Sequence, residues 1–315
     1  MGKKIWLVTG GAGFIGSNIT EELLNRGEKV RIFDNFSTGK MSHIAEFKDK
    51  IEIFKGDLRK PADLKKAMKG ISYVIHQAAL RSVPKSVDNP VDANEVNITG
   101  TLNLLIAARD ARVKRVVYAS SSSVYGDNKV FPQHERLKPS PISPYAVGKL
   151  AAENYCVMFS KIYGLETVSL RYFNVFGPKQ DPESMYSAVI PKFIELAAAR
   201  KPLVVHWDGR QSRDFTYVKN VAEVNILAAL NPKAAGKVYN VAVGSTISLL
   251  DIIKILEEIC GYRLEKTFTP MRKGDIRKTW ADVSQLKKDF GYKPSVLFRE
   301  GLVKTWNWFM KEGKK

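Results

Sequence analysis

The chain up to residue 170 alternates short apolar runs with longer segments of helical periodicity. The runs are rich in β-branched residues, and Val116–Ala119 shows no polar alternation, which is typical of strands buried on both faces of a sheet. The longer segments predict helices, and the first of them, Ile15–Asn25, is followed by Gly27, a residue type that commonly ends a helix. Repeated strand–helix–strand units predict an α/β fold built on a doubly wound parallel sheet. The predicted strands span 4–8, 30–33, 51–54, 73–76, 116–119 and 167–170, and the predicted helices span 15–25, 62–68, 98–111 and 145–163.

A polar loop with four prolines, from Pro132 to Pro144, precedes the longest predicted helix. Ser143 and Pro144 are the residue types favoured at the N-cap and the first position of a helix, and Gly164 is placed to end it. After Arg171 the pattern loosens, although 249–259 and 299–311 still predict helices. The sequence thus predicts a main domain at 1–170, to which later segments return, and a smaller, irregular α/β domain formed mainly by 171–315.

Composition limits the classes of protein to which the chain can belong. Its 315 residues are 44% hydrophobic and 26% charged, which is typical of a globular protein of about two domains. No apolar run approaches the roughly 20 residues of a membrane span, and Ile5–Val8 is too short for the core of a signal peptide. The two cysteines, Cys156 and Cys260, support neither a disulfide scaffold nor a metal-ligand cluster. We therefore expect a cytoplasmic protein with no metal site and no membrane association.

The charge balance of 50 basic against 32 acidic side chains gives a net charge of +18. Such a field attracts anions, including nucleic acids and phosphorylated small molecules. The lysines are scattered along the chain, and neither zinc-finger spacing nor an RNA-binding aromatic motif is present. We expect no nucleic-acid partner, because a solvated lysine-rich surface accounts for the charge without one.

A glycine-rich segment, Thr9–Gly16, follows the first predicted strand and opens the first predicted helix. Gly11, Gly13 and Gly16 satisfy the pattern G-x-G-x-x-G, and Gly10 adds a further glycine to it. The glycines permit a tight turn and let the backbone approach a pyrophosphate, to which the helix N-terminus offers N–H groups. The segment therefore predicts a dinucleotide-binding Rossmann domain.

Asp34 ends the second predicted strand, 18 residues after Gly16 and near the spacing of about 20 expected for an acidic residue that holds a ribose. Its carboxylate would accept a hydrogen bond from a 2′-hydroxyl and repel a 2′-phosphate, which favours NAD over NADP. Arg31 and Lys40 lie near enough in the sequence to serve a 2′-phosphate, so NADP stays open as an alternative.

Tyr145 and Lys149 are four residues apart on the longest predicted helix and so lie on one face of it. A tyrosine with a pKa of about 10 is a poor base at neutral pH, but a neighbouring ammonium group favours its phenolate, which can exchange a proton with a sugar hydroxyl. The serine run Ser120–Ser123 follows a buried strand, at the edge of a parallel sheet where ligands bind. A serine there can hydrogen-bond the same hydroxyl. Taken alone, the Tyr/Lys pair is also common on ordinary helices.

With these motifs the chain resembles the extended short-chain dehydrogenase/reductase family, and within it the UDP-glucose and UDP-N-acetylglucosamine 4-epimerases. The likeness covers almost the whole chain, and the segments 81–86 and 186–194 look more like the N-acetylglucosamine branch. It implies a Rossmann domain with a smaller substrate domain, NAD as cofactor, a UDP-sugar as substrate, and a homodimer formed through the helices at 98–111 and 145–163. The segments that carry it are 9–16 (TGGAGFIG), 34–35, 56–58, 76–79, 120–126 (SSSSVYG), 145–149, 171–178 (RYFNVFGP), 212–215 (SRDF) and 272–275 (RKGD).

The resemblance also implies roles for individual residues. Catalysis would fall to Tyr145, Lys149 and Ser121. The cofactor would be held by Gly10, Gly13, Phe14, Ile15, Gly16, Asp34, Asn35, Asp57, Leu58, Ala78, Ala79, Leu80, Asn97, Tyr145, Lys149 and Phe173. The UDP-sugar would be held by Arg81, Ser82, Ser122, Asn174, Val189, Val204, His206, Gln211, Arg213, Arg272, Asp275 and Thr279. Arginine suits the diphosphate because its planar guanidinium binds phosphate oxygens in pairs.

The serine run favours simple 4-epimerisation through a transient 4-keto sugar. Related 4,6-dehydratases carry an Asp-Glu pair after their catalytic threonine in order to expel water, and Ser122 and Ser123 stand at those positions here. The glutamate usual in UDP-glucuronate decarboxylases and 4-epimerases is also absent. Epimerisation needs no such additional acid.

Thr279 stands just before Trp280–Asp282, where related epimerases have a residue that limits the room for the sugar's 2-substituent. A small residue there is expected to admit an N-acetyl group, which favours UDP-GlcNAc/UDP-GalNAc, with UDP-glucose/UDP-galactose also accepted. Two residues depart from the pattern. Arg81 replaces a small residue frequent in the N-acetyl branch, and Trp207 replaces a glycine. The alternatives are a UDP-glucose 4-epimerase with little N-acetyl activity and a non-catalytic NAD-binding protein of the same fold.

Overall fold

The computed structural model describes residues 4–181, 189–271 and 276–312. Its strands are β1 (Ile5–Thr9), β2 (Lys29–Asp34), β3 (Glu52–Lys55), β4 (Tyr73–His76), β5 (Arg115–Ser121), β6 (Glu166–Tyr172), β7 (Val175–Phe176), β8 (Leu203–His206), β9 (Ser212–Arg213), β10 (Thr216–Tyr217), β11 (Lys237–Val241), β12 (Ile247–Ser248), β13 (Lys266–Thr269) and β14 (Lys278–Thr279). Seven of them form one parallel sheet in the order β11-β6-β5-β4-β1-β2-β3. The predicted doubly wound α/β fold is confirmed.

The helices pack on both faces of this sheet and around the smaller sheets. They are α1 (Phe14–Asn25), α2 (Pro61–Ala67), α3 (Val83–Asp88), α4 (Pro90–Asn94), α5 (Gly100–Asp110), α6 (Pro144–Ile162), α7 (Val189–Ala198), α8 (Val218–Leu230), α9 (Leu249–Cys260), α10 (Ser284–Phe290) and α11 (Phe298–Glu312). The predicted start of α6 is confirmed, because the Ser143 hydroxyl accepts a hydrogen bond from the N–H of Ala146 at 3.2 Å. In the part of the chain that the structure describes, no helix is long and apolar enough to cross a membrane.

Apolar side chains fill both faces of the large sheet, which explains why its strands read as unbroken apolar runs. Trp6 packs on the face covered by α1 and α8, and its neighbour Leu7 packs on the face covered by α2, α5 and α6. A separate apolar cluster joins α7, α9 and α11 in the second half of the chain. Two segments of that half return to the large sheet: β11 pairs with β6, and α8 packs against α1.

The strand order places a crevice at the carboxyl edge of the sheet. The chain runs outward from β1 to β3 and then crosses back, so that β4 lies on the other side of β1. Ligands of open parallel sheets bind where the order reverses in this way. Thr9, Asp34, His76 and Ser121 end β1, β2, β4 and β5, and all four therefore reach this edge.

The region before α5 differs from the prediction. A helix was expected to begin at residue 98, but the chain first forms the short helices α3 and α4 and a π-helical turn at Glu95–Thr99. Ser82 and Asn89 cap the two short helices with their side chains, and Pro90 takes the first position of α4. These helices are too short for a periodic pattern to reveal them.

Candidate active site

The glycine-rich segment between β1 and α1 forms a closely packed cradle. Gly10 has a left-handed φ of +65°, and a β-carbon on it would lie 2.8 Å from the backbone nitrogen of Ala78. A β-carbon on Gly16 would lie 2.1 Å from the carbonyl oxygen of Gly10. Gly13 precedes α1 without a side-chain cap, which leaves the first N–H groups of the helix for a ligand. The cradle, with Phe14 and Ile15 beside it in the cleft wall, fits the pyrophosphate of a dinucleotide.

Asp34 holds the loop that follows β2 against this cradle. Its carboxylate accepts from the N–H groups of Ala12 at 2.9 Å and Phe36 at 2.8 Å, and the residue is only 6% exposed. A carboxylate can accept about four hydrogen bonds, so acceptor capacity remains for ribose hydroxyls.

Arg31 and Lys40, the two basic residues that could bind the 2′-phosphate of NADP, have other partners. Arg31 lies 2.7 Å from Glu52 on β3 and donates to the carbonyl of Ala67. Lys40 forms an ion pair of 2.8 Å with Asp181. Neither guanidinium nor ammonium group is held ready for a 2′-phosphate, which supports NAD.

Asn35, Asp57 and Leu58 line one end of the same cleft. Asp57 accepts two hydrogen bonds from the Arg59 guanidinium, at 3.0 and 2.7 Å, and one from Asn35 at 3.4 Å. The Arg59 hydrogen bonds hold the pKa of Asp57 down at about 2, so this carboxylate is ionised at neutral pH. It can therefore accept hydrogen bonds from a nucleoside.

The predicted catalytic residues meet where α6 passes the end of β5. Tyr145 and Lys149 line the cleft one helical turn apart, and the Ser121 side chain is close enough to Tyr145 to lower its pKa. Lys149 donates from Nζ to the carbonyl of Ala119 at 2.8 Å, and its Nζ lies 5.8 Å from the centre of the Tyr145 ring. The chain thus brings together the three groups that the Tyr-x-x-x-Lys motif and the serine run predict.

The electrostatics of the pair differ from the expectation. Burial raises the pKa of Tyr145, and the groups that lower it are Ser121 and Arg81, not Lys149. Lys149 is itself 4% exposed, and burial lowers its pKa from 10.5 to about 7. An ammonium group that donates to a carbonyl and whose charged form is disfavoured by burial stabilises a phenolate less than the motif predicts.

Ser120 has a structural role that the serine run did not reveal. Its hydroxyl donates to Glu153 at 2.6 Å, and Glu153 forms a buried ion pair of 2.6 Å with Arg171. These three residues tie β5, α6 and β6 together. The glutamate on α6 fixes the helix that carries Tyr145 and Lys149, and Arg171 of the segment 171–178 serves this purpose rather than binding a ligand.

Ala78, Ala79 and Leu80 follow β4 and line the cleft, and Asn97 holds them in place. The side chain of Asn97 accepts from the N–H of Leu80 at 2.8 Å and donates to its carbonyl at 3.0 Å. Asn97 was expected near the cofactor. Its amide is occupied by the backbone, so it acts on the cleft through Leu80.

His76, at the end of β4, anchors the same wall through a directed chain of hydrogen bonds. Thr101 donates to the carbonyl of Asn97 at 2.8 Å, so its oxygen accepts from His76 Nε2 at 3.0 Å. On the other side, Thr9 accepts from the N–H of Ala78 at 3.2 Å and lies 2.7 Å from His76 Nδ1. The arrangement requires the neutral Nε2–H tautomer. Burial lowers the pKa of His76 to about 3.

We expect this histidine to make the fold less stable in mild acid. The unfolded chain binds the proton below about pH 6.5 and the folded chain does not until about pH 3, so stability falls as the pH drops through this window. From pH 7 to pH 5 the loss is about 2 kcal/mol, or about 3 °C in melting temperature for a chain of this size. Melting curves of the wild type and His76→Gln at both pH values check it, because the variant should lose that part of the difference. An equal shift in both proteins would contradict the assignment.

The predicted sugar-side residues Asn174 and Thr279 are in contact. Asn174 Nδ2 donates to Thr279 Oγ1 at 3.0 Å and to the carbonyl of Asp214 at 3.3 Å. Arg213 lies opposite Thr279 in the pairing of β9 with β14. Asp214, buried and holding the N–H groups of Val243 and Gly244 at 3.0 Å, fixes this corner. Burial raises the pKa of Asp214 to about 7.

Val204, His206 and Gln211 form a second group, around β8. Val204 is exposed, and His206 Nδ1 lies 2.6 Å from the hydroxyl of Thr269 on β13. Gln211 donates to the carbonyl of His206 at 2.7 Å, and its own carbonyl oxygen is buried without a partner among the described residues. An unpaired buried acceptor near the exposed Val204 suits the N–H group of a base such as uracil.

Trp207 lies in the loop after β8, at the position where the resemblance predicts a glycine. It has a left-handed φ of +63°, a conformation that glycine adopts without strain. Arg277 lies over its ring at 4.5 Å and pairs with Asp208 at 2.8 Å. The loop is thus closed by contacts of its own side chains.

The remaining predicted residues differ in how they lie relative to the cleft. Ser82 caps α3, Phe173 is buried beside Tyr125 while Tyr172 faces the cleft, and Val189 begins α7. Arg81 lines the cleft, and Ser122 opens the 3₁₀ turn after Ser121. Arg272 and Asp275 lie outside the described residues. The lining also includes Gln77 and Lys40, and it includes Lys179 and Asp181, neither of which a local motif marks. Within the described ranges, no cluster of three or more His, Cys, Asp or Glu could hold a metal ion.

Comparison with known proteins identifies relatives over the whole chain. A solved UDP-N-acetylglucosamine 4-epimerase from Methanobrevibacter ruminantium, in complex with UDP-N-acetylmuramic acid, is 42% identical with a TM-score of 0.94, over 99% of this chain and 100% of that one. The UDP-glucose 4-epimerase of Thermus thermophilus in complex with NAD is 36% identical with a TM-score of 0.87, over 97% and 99%. A UDP-glucuronate 4-epimerase from Thermodesulfobacterium geofontis is 38% identical over 314 residues, 96% of this chain and 95% of its own.

A family model agrees with these relatives. The model described as the NAD dependent epimerase/dehydratase family matches residues 6–242, which contain both the glycine cradle and the Tyr145–Lys149 pair. The chain belongs to the NAD dependent epimerase/dehydratase family, and NAD is its cofactor.

Proposed function

We propose that this enzyme interconverts UDP-N-acetylglucosamine and UDP-N-acetylgalactosamine, and that it also accepts UDP-glucose and UDP-galactose. The broader activity rests on the family and its relatives: the chain is an NAD-dependent UDP-sugar 4-epimerase, an isomerase. The observation that supports the N-acetylated substrate is the size of Thr279. This small side chain accepts a hydrogen bond from Asn174, another of the predicted sugar-side residues, at 3.0 Å.

The chain's own residues supply the proton chemistry at C4 of the sugar. Tyr145, in contact with Ser121, takes the proton of the 4-hydroxyl and returns it after the sugar has turned. Ser121 hydrogen-bonds the reacting oxygen. Lys149, held by the carbonyl of Ala119, keeps further N–H donors for a ribose hydroxyl. NAD, when bound, supplies the acceptor and donor of hydride at C4. Arg213 keeps the diphosphate in place while the sugar moves, so that binding energy far from C4 serves the reaction.

The experiment is turnover of UDP-GlcNAc, UDP-glucose and UDP-glucuronate by the purified protein with added NAD, with products resolved by NMR. Conversion of UDP-GlcNAc at least as efficiently as UDP-glucose supports the proposal. Conversion of UDP-glucose alone would support 4-epimerisation and contradict the N-acetylated substrate inferred from Thr279. Conversion of UDP-glucuronate alone would assign a different sugar. A protein that binds NAD and converts none of the three would be a binding protein of the same fold.

Two ion pairs hold a short strap, residues 178–181, across the cofactor half. Lys179 pairs with Glu21 of α1 at 2.9 Å, and Asp181 pairs with Lys40 of the loop after β2 at 2.8 Å. Lys40, Lys179 and Asp181 all line the cleft. An epimerase regenerates its NAD in every cycle, so a strap that retains the cofactor does not slow turnover.

We expect Asp181→Asn and Lys40→Met each to speed the release of NAD from the holoenzyme about threefold to fivefold. The Lys40 side chain is 50% exposed, so solvent screens the pair and limits its contribution to at most about 1 kcal/mol. Release is followed by NAD fluorescence or residual NAD after gel filtration. Lys304→Met, which breaks a surface pair with Glu300 on α11, is the matched control and should leave the rate unchanged. Equal release from all variants would show that the strap does not retain the cofactor.

We also propose that the enzyme is a homodimer formed through α5 and α6. These helices expose apolar side chains that a monomer leaves in water: Ile106 is 37% exposed, Val147 48% and Ile162 69%. A second copy placed on a two-fold axis would cover both helices at once. Sedimentation velocity at micromolar concentration checks it, and a monomer would contradict it.

A further inference from the structure

Ser123 contacts the hydroxyl of Ser121 through both its backbone and its side chain. Ser121 closes β5, and Ser123 lies in the 3₁₀ turn Ser122–Tyr125 that follows. The backbone N–H of Ser123 donates to Ser121 Oγ at 3.1 Å, and the Ser123 hydroxyl donates to the same oxygen at 2.9 Å. A serine hydroxyl has two acceptor positions and one proton. Both acceptor positions of Ser121 are therefore occupied, and its proton is left for a third partner.

That third partner is the hydroxyl of Tyr145. Because Ser123 fills both acceptor positions of Ser121, the contact of Ser121 with Tyr145 is a donated one, and it lowers the pKa of Tyr145 against the effect of burial. The three hydroxyls thus form a chain with one direction, from Ser123 through Ser121 to Tyr145. Each donated bond polarises the next one, which strengthens the donor at the end of the chain.

We propose that Ser123 is a positioning residue of the epimerase, which directs the Ser121 proton towards the reacting oxygen by filling the acceptor positions of Ser121. This inference rests on the proposed function. With Ser123 in place, Ser121 is a donor only: it stabilises the Tyr145 phenolate, and it donates to the sugar's O4 when that oxygen becomes a carbonyl. Without the Ser123 hydroxyl, one acceptor position of Ser121 is free, so the Ser121 hydroxyl is no longer limited to donation and its proton is no longer directed.

The structure also separates this role from support of the turn. The backbone N–H of Ser123, which lets Ser121 cap the turn, remains in any variant of the side chain. Ser123→Ala therefore removes the second bond and keeps the cap. Ser123→Thr keeps the hydroxyl. Ser160→Ala removes a half-buried serine hydroxyl at the far end of α6, outside the cleft, and is the control.

The experiment measures kcat and KM for UDP-GlcNAc and UDP-glucose over a range of pH, together with the titration of Tyr145 in the holoenzyme. The titration uses ¹³Cζ-tyrosine NMR, with the Tyr145 signal assigned by its absence in Tyr145→Phe. Loss of one neutral hydrogen bond corresponds to about 1 kcal/mol, so we expect Ser123→Ala to lower kcat about fivefold with KM nearly unchanged. The acid limb of its pH–kcat profile and the midpoint of its Tyr145 titration should both move to higher pH, by about half a unit to one unit. Ser123→Thr should restore both.

Two results would overturn the inference. One is a Ser123→Ala enzyme whose kcat and Tyr145 titration match the wild type. The other is a lower kcat and a lower melting temperature with no shift of the Tyr145 titration, which would mark Ser123 as a support of the turn alone. If no sugar is epimerised by the wild type, the proposed function fails, and the titration still reports whether Ser123 acts on Tyr145 through Ser121.

Discussion

Tyr145→Phe lowers kcat for 4-epimerisation by about a hundredfold to ten-thousandfold, the range lost when a positioned acid–base group is removed. The proposed function assigns the proton of the 4-hydroxyl to this phenol, which lies beside Ser121 and one helical turn from Lys149. The phenylalanine ring fills the same space, so the fold and the affinity for UDP-sugars should change little. The assay is turnover of UDP-GlcNAc and UDP-glucose, with calorimetric titration of UDP to show that binding is retained.

Tyr163→Phe is the matched control, because Tyr163 follows the last turn of the same helix and is exposed. Its activity should equal that of the wild type. The pH dependence gives an independent check. Burial raises the pKa of Tyr145, so activity should increase with pH through the range in which Tyr145 loses its proton. A Tyr145→Phe enzyme that keeps a tenth or more of the wild-type kcat would exclude Tyr145 as the base.

The parts of the fold that follow from local sequence were predictable. The strands β1, β4 and β5 are unbroken apolar runs because they are buried on both faces, and α6 carries its own cap. α8 was not predicted. Nine of its 13 residues are buried, so it has no polar face to set a helical period, and only its packing on α1 and the sheet shows why. β11 was not predicted either. Its partner β6 lies about 70 residues earlier in the chain, so no local pattern shows that the two strands pair.

Some features of the candidate site also follow from local sequence, and others do not. Glycines that need a particular backbone conformation, such as Gly10 and Gly16, can be found from spacing because the constraint is local. The ionisation of Lys149 cannot, because it depends on burial by residues distant in sequence. Ser120 illustrates the same limit. Four adjacent serines look alike in the sequence, yet one binds Glu153, one contacts Tyr145 and one orients that contact, according to which face of β5 and its turn each occupies.

Under the proposed function, Thr279→Tyr should make the enzyme selective for UDP-glucose over N-acetylated sugars. Thr279 lies 3.0 Å from Asn174 at the corner that also holds Arg213, so a tyrosine there would extend into the space that the 2-substituent of the sugar needs. A hydroxyl at C2 is small enough to remain. We expect kcat/KM for UDP-GlcNAc to fall about tenfold to 200-fold relative to that for UDP-glucose, the range over which pocket size discriminates substrates. Competition between the two substrates in one reaction, followed by NMR, measures this ratio directly.

Two further variants separate space from hydrogen bonding at this position. Thr279→Ser keeps both the room and the oxygen that accepts from Asn174, so the substrate ratio should stay that of the wild type. Thr279→Val keeps the room and removes that acceptor. Because Asn174 then loses a hydrogen-bond partner, kcat/KM should fall equally for both substrates, and their ratio should again be unchanged. A ratio that changes in Thr279→Val as much as in Thr279→Tyr would mean that the orientation of Asn174, and not the volume at residue 279, selects the sugar. Equal losses for both substrates in Thr279→Tyr would mean that residue 279 does not border the 2-substituent at all.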